Sequence, residues 1–213
     1  MMQKALEYAY DAFRIEAESL AATAEVLDPK EMERAVEALA KAERIAAAGC
    51  GHSGIACQHF AHLMCCIERP ARFISPAEAV HGAMGYIQKG DVILLVSRGG
   101  KTDELMPIAK IAKGKGATVI GVTENLSSPL AELSDIVLAM KVTKECDKYN
   151  CQGTTSFAVT SAIFDALQAA LVEYTGFMNE KFAVIHPGGV GPMTITMLLN
   201  NTLTAAKMAV LKK

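Results

Sequence analysis

Apolar positions recur at two different periods along this chain. Between residues 3 and 27 they are spaced at helical intervals, as at Leu6, Phe13 and Leu20, which predicts an amphipathic helix. Asp28 and Pro29 then predict the cap and the first residue of a second helix, because aspartate accepts from free N–H groups and proline is tolerated at that position. The chain is therefore expected to open with two helices.

From Arg44 onward, short apolar runs alternate with helical stretches. We predict strands at 45–48, 71–75, 91–97, 117–123 and 136–140, and helices at 53–66, from Pro76, at 102–115, from 154 to about 174 and after Pro192. Near-continuous apolar runs such as 92–96 are typical of parallel strands that are buried on both faces. The pattern therefore predicts an α/β fold, with a parallel sheet covered by helices on both faces.

Composition fits a single globular domain. The chain has 213 residues, of which 51% are hydrophobic, enough for one core. No repeat or linker-like tract divides it, so we expect one domain over 1–213, with N-terminal helices at 1–43 and an α/β core with C-terminal helices at 44–213. The net charge is −2 and the charges are interspersed. This predicts a small-molecule partner, with no nucleic acid and no membrane bound.

The six cysteines are expected to be reduced thiols. Acidic residues such as Glu7 and Asp11 occupy the N-terminal region where a secretory signal would be apolar, which favours a cytoplasmic location. The apolar stretch 157–172 is interrupted by Asp165 and Gln168, so we interpret it as a buried helix rather than a membrane span.

A cluster of histidines and cysteines at 57–66 contains residue types that bind metal ions. Its spacing matches no common zinc pattern, and it alternates with apolar side chains of a predicted helix. Cysteine behaves there as a small hydrophobic residue, so no metal site is predicted.

A glycine-rich loop, 49–54, follows the first predicted strand and reads Gly-Cys-Gly-His-Ser-Gly. Glycines allow close approach of the backbone to a ligand, and N–H groups at a helix start favour an anion, so phosphate is the expected guest. Simple chain reversal is the alternative. The loop lacks the third Rossmann glycine and the Gly-Lys-Ser/Thr ending of a P-loop, which disfavours dinucleotides and nucleoside triphosphates.

Two further segments carry hydroxyls next to predicted helix starts, at 97–102 and 153–156. Serine and threonine are favoured there simply as caps, which is the alternative for any one of them. Ligands bind at the carboxyl edge of a parallel sheet, so three such loops on one edge favour a bound phosphate ester.

Three titratable residues lie on predicted loops. His186 precedes Pro-Gly-Gly and cannot be in regular structure, and loops held by a rigid scaffold often carry catalytic groups. An incidental turn histidine is the alternative. Glu145 and His81 are the other two, although a lone loop glutamate is usually just solvated.

The combination of these segments resembles the sugar isomerase (SIS) domain family and, more narrowly, its arabinose-5-phosphate isomerase group. The matching segments are 15–17, 49–54, 76–79 with His81, Gly82 and Gly85, 90–92, 102–105, 144–145, 154–156, 165–167, and 182–183 with 186–189. The resemblance implies a three-layer sandwich with a five-stranded parallel sheet of doubly wound, flavodoxin-like or Rossmann-like type. It also implies a homotetramer whose sites lie at subunit interfaces and use a neighbouring chain's histidine, here in a stand-alone form without CBS domains.

The activity implied is that of an intramolecular oxidoreductase, an aldose–ketose isomerase that acts on a phosphosugar without a cofactor. A base removes the proton next to the carbonyl and an enediol forms. The resemblance assigns Glu145 as that base, His186 as the acid/base that opens the ring or moves the hydroxyl proton, and His81 as a contact to sugar hydroxyls. The implied phosphosugar-binding residues are Gly51, His52, Ser53, Ser97, Gly99, Lys101, Thr102, Thr154, Thr155 and Ser156.

The chain departs from the family pattern at several site positions. His52 stands in place of a lysine, Gly99 in place of a serine and Lys101 in place of a glutamate, and 147–149 replaces Cys-Pro-Leu. D-arabinose 5-phosphate and D-ribulose 5-phosphate are the implied substrates, with the sugar left open. The alternatives are a non-catalytic phosphosugar sensor, or an enzyme similar to 6-phospho-3-hexuloisomerase.

Overall fold

The structure of the protein is a computed structural model that describes residues 2–186. The chain divides into two compact units between Gly176 and Phe177. The first unit contains α1 Met2–Val26, α2 Pro29–Lys41, β1 Ile45–Gly49, α3 Gly51–Cys65, β2 Ala71–Phe73, α4 Pro76–Ala79, a 3-10 turn Ala83–Tyr86, β3 Val92–Val96, α5 Leu105–Gly114, β4 Thr118–Thr123, α6 Pro129–Leu133, β5 Ile136–Ala139 and α7 Thr155–Thr175. The described part of the second unit contains α8 Asn179–Ile185.

The five strands form one parallel sheet in the order β2-β1-β3-β4-β5. Every residue of β1 and β3 is buried, as their continuous apolar runs predict for strands in the middle of a parallel sheet. The predicted five-stranded parallel sheet is confirmed. Its strand order places the carboxyl ends of β1 and β3 side by side, which is where the sequence analysis expects a ligand.

Helices cover both faces of the sheet. Helix α3 packs on β1 and β2 and contacts α7, whereas α5 and α6 pack on β4. Alternate strand residues such as Ala46, Ile93 and Val119 form one buried cluster with Ile108 of α5. Because successive side chains of a strand point to opposite faces, the intervening residues form a second apolar layer against the other helices.

Helix α2 is capped at both ends. Asp28 accepts a hydrogen bond from the Lys30 amide at 2.8 Å, which confirms the predicted N-cap. At the other end, one guanidinium nitrogen of Arg69 donates to the carbonyls of Leu39, Ala40 and Ala42 at 2.5–3.0 Å. A cation at a helix C-terminus satisfies free carbonyls and complements the helix dipole.

Helix α1 lies beside residues 141–143, the chain that continues from β5 at the edge of the sheet. The Thr23 hydroxyl donates to the Lys141 carbonyl at 2.9 Å and accepts from the Lys141 amide at 3.0 Å. Ser19 accepts from the Thr143 amide at 3.1 Å. These hydroxyls pair with edge groups that a further strand would otherwise bind. The buried residues of α1 are Ser19 and Thr23, whereas Phe13 is 73% exposed.

Helix α7 is long and apolar enough, by length and composition, to span a membrane. The side chains of Val159, Ile163, Phe164 and Leu167 are nevertheless buried at helical spacing. Phe164 packs against Phe60 of α3, with ring centroids 4.7 Å apart. These contacts are those of a core helix, the interpretation given to 157–172 from the sequence.

The structure differs from the sequence prediction at several element ends and in its short helices. Strand β2 ends at Phe73 rather than at 75, and α3 begins at Gly51 rather than at 53. Helix α5 begins at Leu105 rather than at 102, because the chain first makes a turn there. Helix α4 is only four residues long, and the short helices α6 and α8 were not predicted. The helix predicted after Pro192 lies outside the described residues.

Candidate functional site

The first glycine-rich loop joins β1 to α3 through two backbone close approaches. A Cβ on Gly54 would lie 2.6 Å from the Gly49 carbonyl oxygen, and a Cβ on Gly49 would lie 2.9 Å from Ser53 backbone atoms. Gly51 has φ +56° and is the first residue of α3, so the helix begins two residues before Ser53. The loop needs glycine at these positions for its shape.

A pocket of about 340 Å³ opens against this loop. It is lined by Gly49, Cys50, Gly51, Gly54, Gln58, Phe73, Ser75, Pro76, Ala77 and Glu104. Burial, and to a lesser degree the charge of Glu104, raises the pKa of the Cys50 thiol, which keeps it protonated at neutral pH. Sequence reasoning missed Glu104 as a pocket carboxylate, since it lies on the turn preceding α5 rather than in a glycine-rich loop.

The second loop, 97–102, is a tight turn at the end of β3. The Ser97 hydroxyl accepts from the Gly100 amide at 3.0 Å and lies 2.8 Å from the Thr102 hydroxyl. Gly100 has φ +66°, and a Cβ there would lie 1.9 Å from the Ser128 hydroxyl oxygen. Ser97 is buried by these contacts, while Gly99 and Lys101 are exposed at the loop surface.

Glu145 lies at the centre of the contacts between the second loop and the third, 153–156. Its side chain is 4% exposed, and one carboxylate oxygen accepts from the Arg98 guanidinium at 2.8 Å. The other oxygen accepts from the Ser156 amide at 3.1 Å and from the Thr154 hydroxyl at 3.4 Å. The structure thus brings Glu145 together with one residue of the second loop and two residues of the third.

Other contacts hold the Glu145 segment in place. The Glu145 amide donates to the Asn150 side chain at 2.7 Å, and the Cys146 amide donates to the Thr154 hydroxyl at 3.0 Å. The Cys146 thiol lies 3.2 Å from the hydroxyl of Thr155, which is fully buried. The Thr155 hydroxyl therefore contacts the Glu145 segment rather than the loop surface.

Arg98 links Glu145 to a second carboxylate. Its Nε donates to Glu124 at 2.9 Å while Nη1 donates to Glu145, and Lys141 lies 3.2 Å from the other Glu124 oxygen. Burial alone would raise the pKa of Glu124, but hydrogen bonds from Arg98 and Lys141 outweigh it and lower that pKa. Two cations and two carboxylates thus alternate along the edge where the loops meet.

The first loop meets the third through His52. A Cβ on Gly153 would lie 3.1 Å from Nδ1 of His52, and the imidazole lies edge-on to the Phe157 ring with centroids 6.5 Å apart. His52 is exposed and Ser53 is half-buried. The three predicted loops are therefore contiguous, with His52 and Arg98 as the contacts between them.

Two further histidines, His81 and His186, were predicted as site residues. His81 is exposed and follows α4, where its amide donates to the Glu78 carbonyl at 3.0 Å. His186 belongs to the second unit and directly follows α8, with its ring stacked on Phe182 at 3.8 Å between centroids. The residue itself is outside regular structure, as predicted, but the helix before it was not anticipated.

Within residues 2–186 there is no group of three or more acidic, histidine or cysteine side chains arranged to hold a metal ion. All six cysteines are free thiols, and Cys57 is buried in α3, which raises its pKa well above the ordinary value. The Cys57 thiol therefore serves as a small apolar group.

The SIS domain model matches residues 38–170, a range that holds all five strands and the three loops. The chain belongs to the SIS domain family. Among curated relatives, the arabinose 5-phosphate isomerase KdsD of Pseudomonas aeruginosa is 36% identical over 82% of this chain and 58% of its own length. The arabinose 5-phosphate isomerase KpsF of Escherichia coli is 38% identical over 66% of this chain and 44% of its own length. The chain spans about half the length of the curated relatives that it matches.

Solved SIS structures share the architecture over most of the chain. A candidate sugar-phosphate isomerase of Listeria monocytogenes is 40% identical, with a TM-score of 0.85 over 88% of this chain and 99% of that one. An Escherichia coli CFT073 protein in complex with A5P is 26% identical, with a TM-score of 0.81 over 87% of this chain and 98% of that one. The NanR protein of Vibrio vulnificus, complexed with ManNAc-6P, is 26% identical, with a TM-score of 0.73 over 84% of this chain and 69% of that one.

Proposed function

We propose that this SIS protein is a phosphosugar aldose–ketose isomerase, with D-arabinose 5-phosphate and D-ribulose 5-phosphate as its first substrate pair to test. The observation that carries the proposal is that the second and third loops both contact one buried carboxylate, Glu145, while the first loop contacts the third through His52. Relatives named arabinose 5-phosphate isomerases, together with the complex of a structural neighbour with A5P, interpreted as arabinose 5-phosphate, support this substrate class.

In the proposed reaction the phosphate binds along the three loops. Backbone N–H groups at the start of α3 and the exposed side chain of Lys101 supply favourable charge for an anion. The loop hydroxyls of Ser53, Ser97, Thr102, Thr154 and Ser156, and the exposed positions Gly51, His52 and Gly99, form the rest of the proposed phosphosugar surface. Thr155 acts in this scheme by supporting the Glu145 segment through Cys146.

Glu145 is the proposed general base. Three donors hold its carboxylate oxygens in place, and a positioned carboxylate can remove the proton next to the carbonyl. Because its side chain is only 4% exposed, the substrate must displace part of this cover to reach it. His186 is the proposed acid/base at the sugar ring and His81 a contact to its hydroxyls.

The test is a panel of aldose and ketose phosphates, including arabinose 5-phosphate and hexulose 6-phosphate, with conversion and solvent-proton exchange measured in deuterated water. We expect Glu145→Gln to lower kcat by at least about 100-fold, since a positioned base contributes that much. His186→Ala should lower it as well. The matched control, Glu173→Gln, changes an exposed carboxylate of α7 and should keep full activity. Conversion of no sugar, or full activity in both site variants, would refute the proposal.

A second candidate function is sensing without conversion. The specific observation in its favour is that both carboxylate oxygens of Glu145 accept hydrogen bonds from other residues of the protein. NanR, complexed with ManNAc-6P, is 26% identical to this chain, the same identity as that of the neighbour in complex with A5P. A sensor should be stabilised against heat by a phosphosugar while no deuterium enters the sugar. Exchange into the sugar at enzymatic rates would exclude this candidate.

A further inference from the structure

Arg98 is placed differently from the other residues of the second loop. Whereas Ser97 and Thr102 pair with each other, Arg98 reaches across to Glu145 on the segment that follows β5. Its backbone is also fixed, because the Thr123 hydroxyl donates to its carbonyl at 3.0 Å. Arg98 therefore extends from a fixed turn and binds a buried carboxylate. The position of the turn thus helps to determine the position of that carboxylate.

Two nitrogens of the Arg98 guanidinium bind two different carboxylates. Nε is held by Glu124 and Nη1 by Glu145, so the planar group has one orientation. Five N–H donors are available on the group, and its side chain is 37% exposed. Donors therefore remain for an incoming anion while both carboxylates stay bound.

Charge balance explains why Glu145 tolerates burial. Within the described residues, Arg98 is the cation that contacts Glu145. Lys141 instead forms an ion pair with Glu124. On the side of α1, the thiol of the adjacent residue Cys146 donates to a Glu16 carboxylate oxygen at 3.5 Å. Removal of Arg98 would leave the buried carboxylate of Glu145 without this countercharge.

We propose that Arg98 is a positioning residue for the isomerisation, which supplies the countercharge of the buried Glu145 carboxylate and holds it in one orientation beside the phosphate loops. The inference rests on the proposed function, because it assigns a role toward the proposed base. The contact of Arg98 with Glu145 joins two segments that are 47 residues apart in sequence.

The experiment compares two substitutions that separate charge from geometry. Arg98→Gln removes the cation, so kcat/KM at pH 6 should fall at least about tenfold more than at pH 8.5. Arg98→Lys keeps the positive charge but loses the planar guanidinium that binds two carboxylates at once. We therefore expect kcat to fall at all pH values, while the acidic limb of the pH–rate profile stays at the same pH. The control, Lys141→Gln, removes the cation that contacts only Glu124 and should leave the pH profile unchanged. A uniform loss in Arg98→Gln, with an unmoved acid limb, would overturn the inference.

A second readout does not depend on turnover. The carboxyl ¹³C resonance of Glu145, assigned with Glu145→Gln, should titrate at higher pH in Arg98→Gln than in the wild-type protein and in Lys141→Gln. An equal midpoint in all three proteins would overturn the role of Arg98, even if a phosphosugar is converted. Failure of the wild type to convert any sugar would refute the proposed function instead. Should Arg98→Gln not fold, the charge-balanced double variant Arg98→Gln/Glu124→Gln takes its place in this titration.

Discussion

Replacing Thr23 by valine tests how helix α1 protects the edge of the sheet. Valine has nearly the same shape as threonine, so the substitution removes the hydroxyl from a residue that is only 5% exposed while keeping its packing. The lost hydroxyl leaves both the N–H and the C=O of Lys141 without their partner. The cost is therefore that of unsatisfied edge groups and not only that of a hydrogen bond.

The expected magnitude follows from those two groups. A buried donor or acceptor left unpaired costs about 1–3 kcal/mol, and water can reach part of this edge, so we expect a loss of about 2–3 kcal/mol. The free energy of unfolding is measured in urea at one fixed protein concentration, with the slope m as a check on two-state behaviour. A T23V loss of that size should appear as a lower midpoint with m unchanged.

The matched control is Thr160→Val in α7. Thr160 is equally buried, and its hydroxyl donates at 2.7 Å to the Ser156 carbonyl. That carbonyl also accepts from the Thr160 amide in the helix ladder, so T160V leaves no group unpaired and should cost under about 1 kcal/mol. The reasoning is refuted if T23V costs no more than T160V.

Three further predictions concern the loops around the site. Gly100→Ala should destabilise the protein by about 2–4 kcal/mol, because the residue has positive φ and its Cβ would clash with Ser128. Gly99→Ala has open space around its Cβ and should be neutral in the same unfolding assay, so equal effects of the two substitutions would contradict this reasoning. The lowered pKa of Glu124 means that its ion pairs stabilise the protein above its ordinary pKa of 4.5, so the stability gap between wild type and Glu124→Gln should narrow as pH falls below that value; a gap independent of pH would exclude the contribution. Asp147 accepts from three backbone amides of 149–152, so Asp147→Ala should speed tryptic cleavage after the exposed Lys148, and an unchanged cleavage rate would show that the loop does not depend on that carboxylate.

The parallel sheet and most of its helices could be predicted from the sequence because their signals are local. The buried runs of β1 and β3 and the cap at Asp28 are each visible within a few residues. Helix α6 was missed because it is only five residues long, too short for a period to appear. Helix α1 was predicted, but its burial through Ser19 and Thr23 depends on a sheet edge more than 100 residues away.

The candidate site was predictable only as a set of loops. Glycines and hydroxyls mark the loops themselves, and parallel strands bring them to one edge. The contacts between the loops could not be predicted, because they join residues far apart in the sequence. Arg98 binds Glu145, 47 residues away, and His52 contacts Gly153 of another loop. Glu104 enters a pocket whose other walls come from α3 and from the segment after β2. Such contacts depend on strand order, which the hydrophobic pattern does not specify.

The two close approaches at Gly49 and Gly54 divide the first loop into fixed and variable positions. Any side chain at either glycine would push α3 away from β1, so substitution there disturbs the whole sheet edge. His52 and Ser53 lie between them, where the chain is at least partly open to solvent. The loop can therefore acquire new side chains at 52 and 53 without altering its scaffold, and ligand preference in this fold can diverge while the geometry that supports it stays the same.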